Sequence, residues 1–385
     1  MSRSDGRTKV AVLLNIIAPA KVPVYSGLAA HFDLLLLHGG MERNRDSWSA
    51  PERKISGAQI KQVWSWQLEL RKMSGKIRDR RHLHITPGFI LHLFRFRPDV
   101  VVTNEMGFRT LQALIYGTLT RIPVWVWWGG SPHTEGSIGA LRRAMRFVVS
   151  RWARRWFSYG QTSTEYLLSL GIPQDRIMQI QNSVDETQYT VDVAPKFNIE
   201  PRPRLLYIGQ FVRVKGIDLL LRAAAVLQQE GHRFSMLLVG SGPDKQKLEQ
   251  LAKDLNLQDV HFHSSLRPEE MPSVYRSGDC LIFPTLGDVW GTVANEAVLS
   301  GLPVLCSKYA GCAPEFFTDE SIFDPENPDE FVAKLREAIA GTLPQPDVSR
   351  IRTTSEVVNR MISAIEDSAI PASRYNPQGA SRKAT

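Results

Sequence analysis

Cysteine is scarce in this chain, and three cysteines (Cys280, Cys306 and Cys312) in 385 residues build no disulfide framework. Their spacing matches no zinc site, and the nine histidines show no metal-binding spacing either. No apolar run approaches the roughly 18 residues that a membrane-spanning helix needs. A reducing cytoplasm is therefore the simplest setting for this protein.

A complete dinucleotide fingerprint is also missing. The segment V-G-S-G-P around Gly240 and Gly242 lacks the third glycine of G-x-G-x-x-G and the acidic residue that follows it, which disfavours a nicotinamide dehydrogenase. We interpret this segment as a structural turn after a strand.

Short apolar runs alternate with helical stretches along the whole chain. This alternation predicts an α/β protein whose strands form parallel sheets with helices on both faces. At 385 residues the chain is long enough for two domains, which we place at 1–190 and 200–353, with the linker at 185–203. The predicted strands are 9–16, 34–37, 100–103, 124–127, 156–159, 205–209, 234–239, 260–262, 280–283 and 304–306.

The remaining segments carry separate expectations. The basic start and apolar run at residues 3–20 also fit a signal peptide, but polar Asn15 interrupts the run and favours a first buried strand. Residues 41–87 predict a loop with one helix around Gln59–Met73. A helix at 354–368 is expected to pack back on the first domain, and the Ser, Pro and Gly-rich tail at 371–385 is expected to be disordered.

Two carboxylates stand eight residues apart in the segment D-V-W-G-T-V-A-N-E, at Asp288 and Glu296. A predicted strand precedes the segment, and a second one follows it. Ligands bind at the carboxyl ends of strands in open parallel sheets, and the N–H groups at the start of a helix attract phosphate. Acid pairs at this spacing are common by chance, so the spacing alone is weak evidence for a site. The neighbouring glycines Gly287 and Gly291 strengthen it, because they allow the backbone to approach a ligand closely.

Five motifs follow one another in the second half of the chain. They are R-L-L-Y-I-G-Q-F-V-R-V-K-G, M-L-L-V-G-S-G-P, Y-R-S-G-D-C-L-I-F-P-T, the acid pair, and S-G-L-P-V-L-C-S-K-Y-A-G-C-A-P. This block, Arg204 to Phe317, resembles the nucleotide-sugar half of the family 4 retaining glycosyltransferases of group 1. The amino half resembles them more loosely. The resemblance implies the GT-B fold, in which two Rossmann-like domains face a central cleft.

The resemblance also implies roles for individual residues. Lys215 matches the lysine that meets the donor diphosphate, and Gln210 stands after Gly209 where the family has an arginine, so Arg213 is expected to supply the missing charge. Asp288 takes the place of a glutamate that lies beside the donor sugar. Further donor contacts are expected from the backbone of Gly291, Thr292 and Val293, while Glu296 holds the ribose hydroxyls.

Candidates in the first domain are less specific. Lys21 follows the first strand and Glu105 follows the strand V-V-V-T-N, so both are expected in the cleft. Members of the family often carry a histidine directly after a strand where this chain has Gly129. His133 is then a shifted equivalent, or Glu135 acts, or neither does.

The expected function is transfer of a sugar from a nucleotide diphosphate sugar to an acceptor hydroxyl with retention of configuration, in polysaccharide, glycolipid or glycoconjugate synthesis. No D-x-D motif occurs, so no essential metal and no cofactor beyond the co-substrate are expected. The alternatives are a non-catalytic nucleotide-sugar-binding protein, which Gln210 and Asp288 favour, and a sugar-nucleotide epimerase of the same fold. A phosphorylase is disfavoured, because no lysine stands in a recognisable pyridoxal phosphate context.

Positive charge is concentrated in the first half: residues 1–200 contain 27 Lys and Arg against 16 Asp and Glu. Much of it lies at 72–84 and 141–157. The second cluster predicts an amphipathic helix, with Leu141, Met145, Val148, Trp152 and Trp156 near one face. Such a helix either packs in the core or lies on an anionic membrane, which would place a cytoplasmic enzyme on the inner face of the membrane. No nucleic-acid motif accompanies the charge.

Overall fold

The computed structural model describes residues 6–40, 54–64, 66–71, 80–85, 88–136 and 138–369. The predicted tail at 371–385 and most of the basic cluster at 72–84 lie outside the described residues. Two parallel sheets, of seven and six strands, carry helices on both faces, which confirms the predicted α/β fold class. The ten predicted strands all occur, in the predicted order.

The first domain is built on the seven-stranded sheet, whose order is β3-β2-β1-β6-β7-β8-β9. Its strands are β1 (Lys9–Leu14), β2 (Asp33–His38), β3 (Ala58–Gln62), β6 (Val100–Asn104), β7 (Val124–Trp128), β8 (Arg155–Ser158) and β9 (Ile177–Gln179); a separate antiparallel hairpin comprises β4 (Trp66–Arg71) and β5 (Arg80–Ile85). Its helices are α1 (Val22–His31), α2 (Phe89–Phe96), α3 (Phe108–Thr120), α4 (Pro132–Glu135), α5 (Ala140–Trp152), α6 (Gln161–Ser169) and α7 (Glu186–Tyr189).

The second domain is built on the six-stranded sheet, whose order is β12-β11-β10-β13-β14-β15. Its strands are β10 (Arg204–Ile208), β11 (Ser235–Val239), β12 (Val260–His263), β13 (Cys280–Phe283), β14 (Val304–Ser307) and β15 (Ile322–Phe323). Its helices are α8 (Ile217–Gln229), α9 (Lys245–Asp254), α10 (Met271–Tyr275), α11 (Thr292–Leu299), α12 (Ala313–Phe316) and α13 (Pro328–Ile339), and α14 (Thr354–Ala369) follows them.

Burial on both faces explains why these strands are almost wholly apolar. In β1 the residues from Val10 to Leu14 are all buried, because helices cover the sheet on each side. On one side α1 and α14 form a core with Val357 and Met361, so the C-terminal helix packs on the first domain. On the other side α2, α3 and α5 form a second core. Each fully buried large side chain contributes roughly 1.5–3 kcal/mol to this packing.

The helix predicted around Gln59–Met73 is wrong. Residues 58–62 instead form the edge strand β3, which pairs in parallel with β2, and residues 66–71 form β4 of the hairpin. The composition of this segment favours a helix, but backbone pairing to an existing sheet edge overrides weak local propensity.

The predicted basic helix is shorter than expected. It ends at Trp152, and Trp156 lies fully buried in β8. Val149 and Ser150 of α5 face the core, whereas Leu141 and Val148 are exposed. The apolar stripe proposed from the sequence is therefore mostly a surface feature.

Candidate functional site

The chain order of the second sheet reverses between β10 and β13, and ligands bind outside the carboxyl ends of strands at such a point. The two loops that leave these strands meet there. The carbonyl oxygen of Val214 accepts hydrogen bonds from Leu286 N at 2.7 Å and from Thr285 Oγ1 at 3.2 Å. These bonds fix the lysine-containing loop against the loop that carries Asp288.

Lys215 and Asp288 form an ion pair at this junction, with 2.5 Å between Lys215 Nζ and Asp288 Oδ2. Each side chain is 19% exposed, so the ion pair is mostly buried but still reaches solvent. The other carboxylate oxygen, Oδ1, accepts a hydrogen bond from Trp290 N at 3.1 Å. The structure thus brings together the cation and the carboxylate that the sequence assigned to the donor.

A glycine directly after the lysine allows this approach. Gly216 has a φ of 66°, in the left-handed region, and a side chain there would collide with the carbonyl oxygen of Pro284. The remaining predicted donor residues on this loop are Gly209, whose N–H donates to Val239 O, and Gln210 and Arg213, whose side chains are exposed.

The first turn of α11 lies directly behind the pair. Gly291 precedes the helix, and Thr292 and Val293 open it, so the unsatisfied N–H groups of a helix start are near Asp288. This is the position at which a phosphate would be stabilised by backbone dipoles.

Glu296 lies further along α11 in a pocket of tyrosines. Its Oε2 accepts a hydrogen bond from the Tyr275 hydroxyl at 2.6 Å, and Tyr189 also bonds to it. Burial raises the pKa of Glu296 to about 7, against the stabilising effect of the two tyrosine hydroxyls. A carboxylate held in this way is an acceptor for sugar hydroxyls, and its desolvation costs free energy while no ligand is present.

We expect Glu296→Gln to stabilise the ligand-free protein at pH 8 by about 1–2 kcal/mol, because it removes a desolvated charge. The raised pKa means that the penalty is absent below pH 4.5, grows as the pH rises from 4.5 to 7, and is complete above pH 7. Thermal unfolding at pH 5 and pH 8 measures the difference. An equal gain at both pH values would contradict the assigned pKa.

Lys21 is the predicted first-domain residue with the most unusual surroundings. It lies in a single helical turn after β1 and is only 8% exposed. Its Nζ donates to Asn182 Oδ1 and, at 3.4 Å, to Ser183 O, and it lies 5.3 Å from the centre of the Trp127 ring. These partners are neutral, and burial lowers the pKa of Lys21 to about 7.

Hydrogen bonds connect Lys21 to the second domain. The carbonyl oxygen of Asn182 accepts from Asn295 Nδ2 at 3.1 Å, and Asn295 Oδ1 accepts from Trp290 Nε1 at 2.8 Å. Asn295 adjoins Glu296 on α11, and Trp290 is two residues from Asp288. Lys21 is therefore connected, through Asn182 and Asn295, to the loop and helix that carry the predicted donor residues.

His133 faces the same cleft from the first domain. Its ring stacks on Tyr309, with 4.0 Å between the centroids, and its Nε2 is 2.5 Å from Leu286 O. A side chain on Gly287 would come 3.6 Å from the His133 ring. The histidine thus touches the loop that carries Asp288.

The two glutamates of the first domain differ in their environment. Glu105 follows β6 in a left-handed conformation, with a φ of 66°, is 56% exposed and accepts a hydrogen bond from Asn15 Nδ2 at 3.2 Å. Strained backbone of this kind clusters at ligand sites. Glu135 is 10% exposed and is held by Arg146, with 2.8 Å between Oε2 and Nε. This ion pair holds the Glu135 side chain against α5.

Sequence reasoning assigned no role to two residues that join the domains. The Glu315 carboxylate accepts hydrogen bonds from Gln161 N at 2.6 Å, Gln179 Nε2 at 2.9 Å and Gln181 Nε2 at 2.8 Å, all from the first domain. Trp290 is fully buried against Gly160, where a side chain would collide with the indole ring. Both lie within the conspicuous motifs D-V-W-G and C-A-P-E, but nothing local indicates their partners.

Two facing parallel-sheet domains with a site at the switch point define the GT-B fold. Residues 192–352 match the family model "Glycosyl transferases group 1". The structure of Anabaena HepE in complex with UDP and glucose is similar, with a TM-score of 0.72 and 14% identity, over 93% of this chain and 99% of that one. The apo structure of the lipopolysaccharide outer core galactosyltransferase WaaB has a TM-score of 0.64 at 13% identity, over 94% and 99%.

Curated relatives match shorter stretches. The sulfoquinovosyl transferase of Arabidopsis thaliana is 24% identical over 278 residues, covering 66% of this chain and 52% of that protein. The D-inositol 3-phosphate glycosyltransferase of Corynebacterium kroppenstedtii is 33% identical over 115 residues, covering 28% and 26%. The chain therefore spans about half or less of the curated relatives it matches. The second half of the chain is therefore similar to group 1 glycosyltransferases.

Metal-ligand clusters and membrane-spanning helices are both absent from the described ranges. No group of three His, Cys, Asp or Glu side chains in these ranges is placed to hold a metal ion. No helix in the same ranges combines the length and the apolar character needed to cross a membrane.

Proposed function

We propose that this protein transfers a sugar from a nucleoside diphosphate sugar to an acceptor hydroxyl with retention of anomeric configuration. The observation that carries the proposal is the Lys215–Asp288 pair at the switch point, in front of the first turn of α11. One member of the pair suits a diphosphate, and the other suits the donor sugar. Neighbours of this fold were solved with UDP, UDP-glucose, or UDP and glucose, which favours a nucleotide sugar as donor.

The donor diphosphate lies between the Lys215 ammonium and the backbone N–H groups of Thr292 and Val293. Binding of the diphosphate draws Lys215 Nζ from a single contact with Asp288 into a position shared with phosphate oxygens. Charge that develops on the departing diphosphate is then met by fixed dipoles and a cation, the interaction that contributes most in sites of this kind. Glu296 accepts hydrogen bonds from the ribose.

Transfer breaks the bond between the anomeric carbon and the diphosphate oxygen. The acceptor oxygen forms its new bond on the face that the leaving group vacates, and its proton passes to the departing phosphate oxygen. Asp288, freed from its pairing with Lys215, stabilises positive character at the anomeric carbon or binds a sugar hydroxyl. His133, against the Leu286 loop, closes the sugar end of the cleft.

A panel of nucleoside diphosphates and their sugars tests the donor. We expect a rise in melting temperature with the matching diphosphate, because a ligand that binds only the folded state stabilises it by about 3 kcal/mol at a hundredfold excess over its dissociation constant. Stabilisation by none of them would contradict a nucleotide-sugar site.

An assay of the labelled donor that stabilises the protein separates the three candidate functions. Transfer or slow hydrolysis indicates a transferase, interconversion of the donor sugar indicates an epimerase, and binding without turnover indicates a non-catalytic binder. The anomeric configuration of the product, read by NMR, tests retention. Because the sequence has no D-x-D motif, we expect the transfer rate to be unchanged by EDTA.

A further inference from the structure

Exposed apolar side chains are concentrated on one side of the first domain. The structure places nine of the sixteen exposed large apolar residues of the described chain on α2, α3 and α5. They are Leu91, Phe94, Phe108, Ile115, Leu119, Leu141, Phe147, Val148 and Trp152. The others are scattered, and most of them are valines. A cluster of this size on a domain surface marks an interaction site.

The three helices form one continuous surface, here named the α2/α3/α5 face. Their buried residues belong to a single core on the same side of the seven-stranded sheet. Phe94 packs edge-on against Tyr116, with 4.9 Å between the ring centroids, and joins α2 to α3. Trp152 Nε1 donates to Thr118 Oγ1 at 3.1 Å and joins α5 to α3.

Every charge on these helices is positive or histidine. The residues of α2, α3 and α5 are all described, and none of them is Asp or Glu. Arg95, Arg143 and Arg151 are exposed among the apolar residues, and Arg151 lies 5.1 Å from the centre of the Phe147 ring. Exposed arginines also follow the ends of the helices, at positions 97, 121 and 154. Three acids lie just beyond the helix ends: Asp99, Glu105, which lies 3.6 Å from Arg109 of α3, and Glu135, which is ion-paired with Arg146 of α5.

We propose that the α2/α3/α5 face docks on an anionic lipid bilayer. Apolar side chains of this face enter the interface while the arginines around them meet lipid phosphates. A second copy of the chain is the less suitable occupant, because two identical faces would oppose arginine to arginine across a twofold axis. A bilayer offers an apolar interior for the exposed apolar side chains and negatively charged headgroups for the arginines.

Docking in this way would bring the cleft to the membrane. The amino-terminal ends of α3 and α5, with Phe108 and Leu141, follow the carboxyl end of the sheet and lie nearest the cleft. An acceptor hydroxyl carried on a lipid would then reach the cleft without leaving the bilayer. This assignment of the acceptor, unlike the docking itself, rests on the proposed function.

Flotation of the full chain with vesicles tests the docking. We expect it to float with phosphatidylcholine vesicles that contain about a third of phosphatidylglycerol and much less with phosphatidylcholine alone. The double variant Leu119→Ser/Phe147→Ser should bind about tenfold less or weaker still, because two apolar side chains no longer enter the interface. Arg143→Gln/Arg151→Gln should bind less and lose most of its salt dependence. Val226→Ser/Val348→Ser, which changes exposed valines elsewhere, is the matched control.

Two results would overturn the docking proposal: no flotation with anionic vesicles, or flotation that the two α2/α3/α5 variants leave unchanged while they remain folded by thermal unfolding. Light scattering would show a dimer that disappears in Leu119→Ser/Phe147→Ser if the face joins two copies instead. Stabilisation by nucleoside diphosphates is measured on the same variants. If no nucleoside diphosphate stabilises the wild type or any variant, the proposed function is contradicted and the docking proposal is not. If the variants no longer float but are still stabilised by the nucleotide, the docking surface is separate from the nucleotide site.

Discussion

Lys215→Met is expected to weaken binding of the matching nucleoside diphosphate by ~10- to 100-fold, the effect of losing one charge-assisted contact to phosphate. The loss has two parts. The ammonium no longer meets the diphosphate, and Asp288, which it neutralised across 2.5 Å, now faces the phosphates as an unpaired negative charge. Calorimetric titration measures the affinity. Lys196→Met, which breaks an ion pair of 2.9 Å between the linker and Glu270 of the second domain, is the matched control.

The pairing of Lys215 with Asp288 makes a double-variant cycle informative. Asp288→Asn keeps an acceptor for Trp290 N but loses the charge, so nucleotide affinity should hold while the transfer rate falls ~100-fold. Combining it with Lys215→Met should restore part of the lost affinity, by roughly 1–3 kcal/mol of coupling. Full transfer activity in Asp288→Asn would remove this carboxylate from the mechanism. Affinity that is unchanged in Lys215→Met would make the pair purely structural.

Lys21→Met is expected to make the protein more stable and less active. Lys21 is buried among neutral partners, and its pKa of about 7 shows that the charged form is disfavoured in the folded state. Methionine removes that penalty and leaves Asn182 Oδ1 without its donor, for a net gain of about 1–3 kcal/mol near neutral pH. Thermal unfolding measures it.

The pH dependence distinguishes this cause from improved packing. A lysine with a lowered pKa destabilises the folded state fully below pH 7, and the penalty disappears as the pH rises from 7 to 10.5. The advantage of Lys21→Met should therefore shrink between pH 7 and pH 9.5. A constant advantage would indicate packing.

Reduced activity of the same variant would show what the buried lysine is for. Under the proposed function, a cation without a carboxylate partner near the diphosphate would be paired with an anionic group of the donor or of the acceptor. We expect Lys21→Met to lose ~10-fold or more in kcat/KM. Lys61→Met, on the exposed edge strand β3, serves as the control. Unchanged kcat/KM would restrict Lys21 to domain packing.

Sequence was sufficient for the central strands because each is buried on both faces, and such strands are continuous apolar runs that leave little choice of element. The strands that escaped prediction are β3, β9 and β15, each at the edge of a sheet, and the two strands of the separate β4–β5 hairpin. β3, read A-Q-I-K-Q, has the composition of a helix, and β15 contains only two residues. These segments are strands because a neighbouring strand offers backbone partners, which local sequence does not reveal.

The site divides in the same way. Lys215 and Asp288 lie in motifs that a sequence can display, and the fold places them at the switch point. Three contacts depend on which loops meet in space, and a sequence does not display them. They are the ion pair between Lys215 and Asp288, the hydrogen bonds by which Glu315 joins the domains, and the ion pair between Glu135 and Arg146. The surface character of α5 was equally hidden, because an amphipathic pattern does not say which of two faces is covered.

The position of Trp290 links two properties of the molecule. Its backbone N–H holds the Asp288 carboxylate, while its indole acts as a wedge against Gly160 on the opposite lobe. A motion that separates the lobes would remove the contact between the Trp290 indole and Gly160. It would then also disturb the Asp288 carboxylate, which Trp290 N holds. Under the proposed function, a molecule whose lobes had separated would hold the Asp288 carboxylate less firmly, so hydrolysis of the donor by water in an open cleft would be disfavoured.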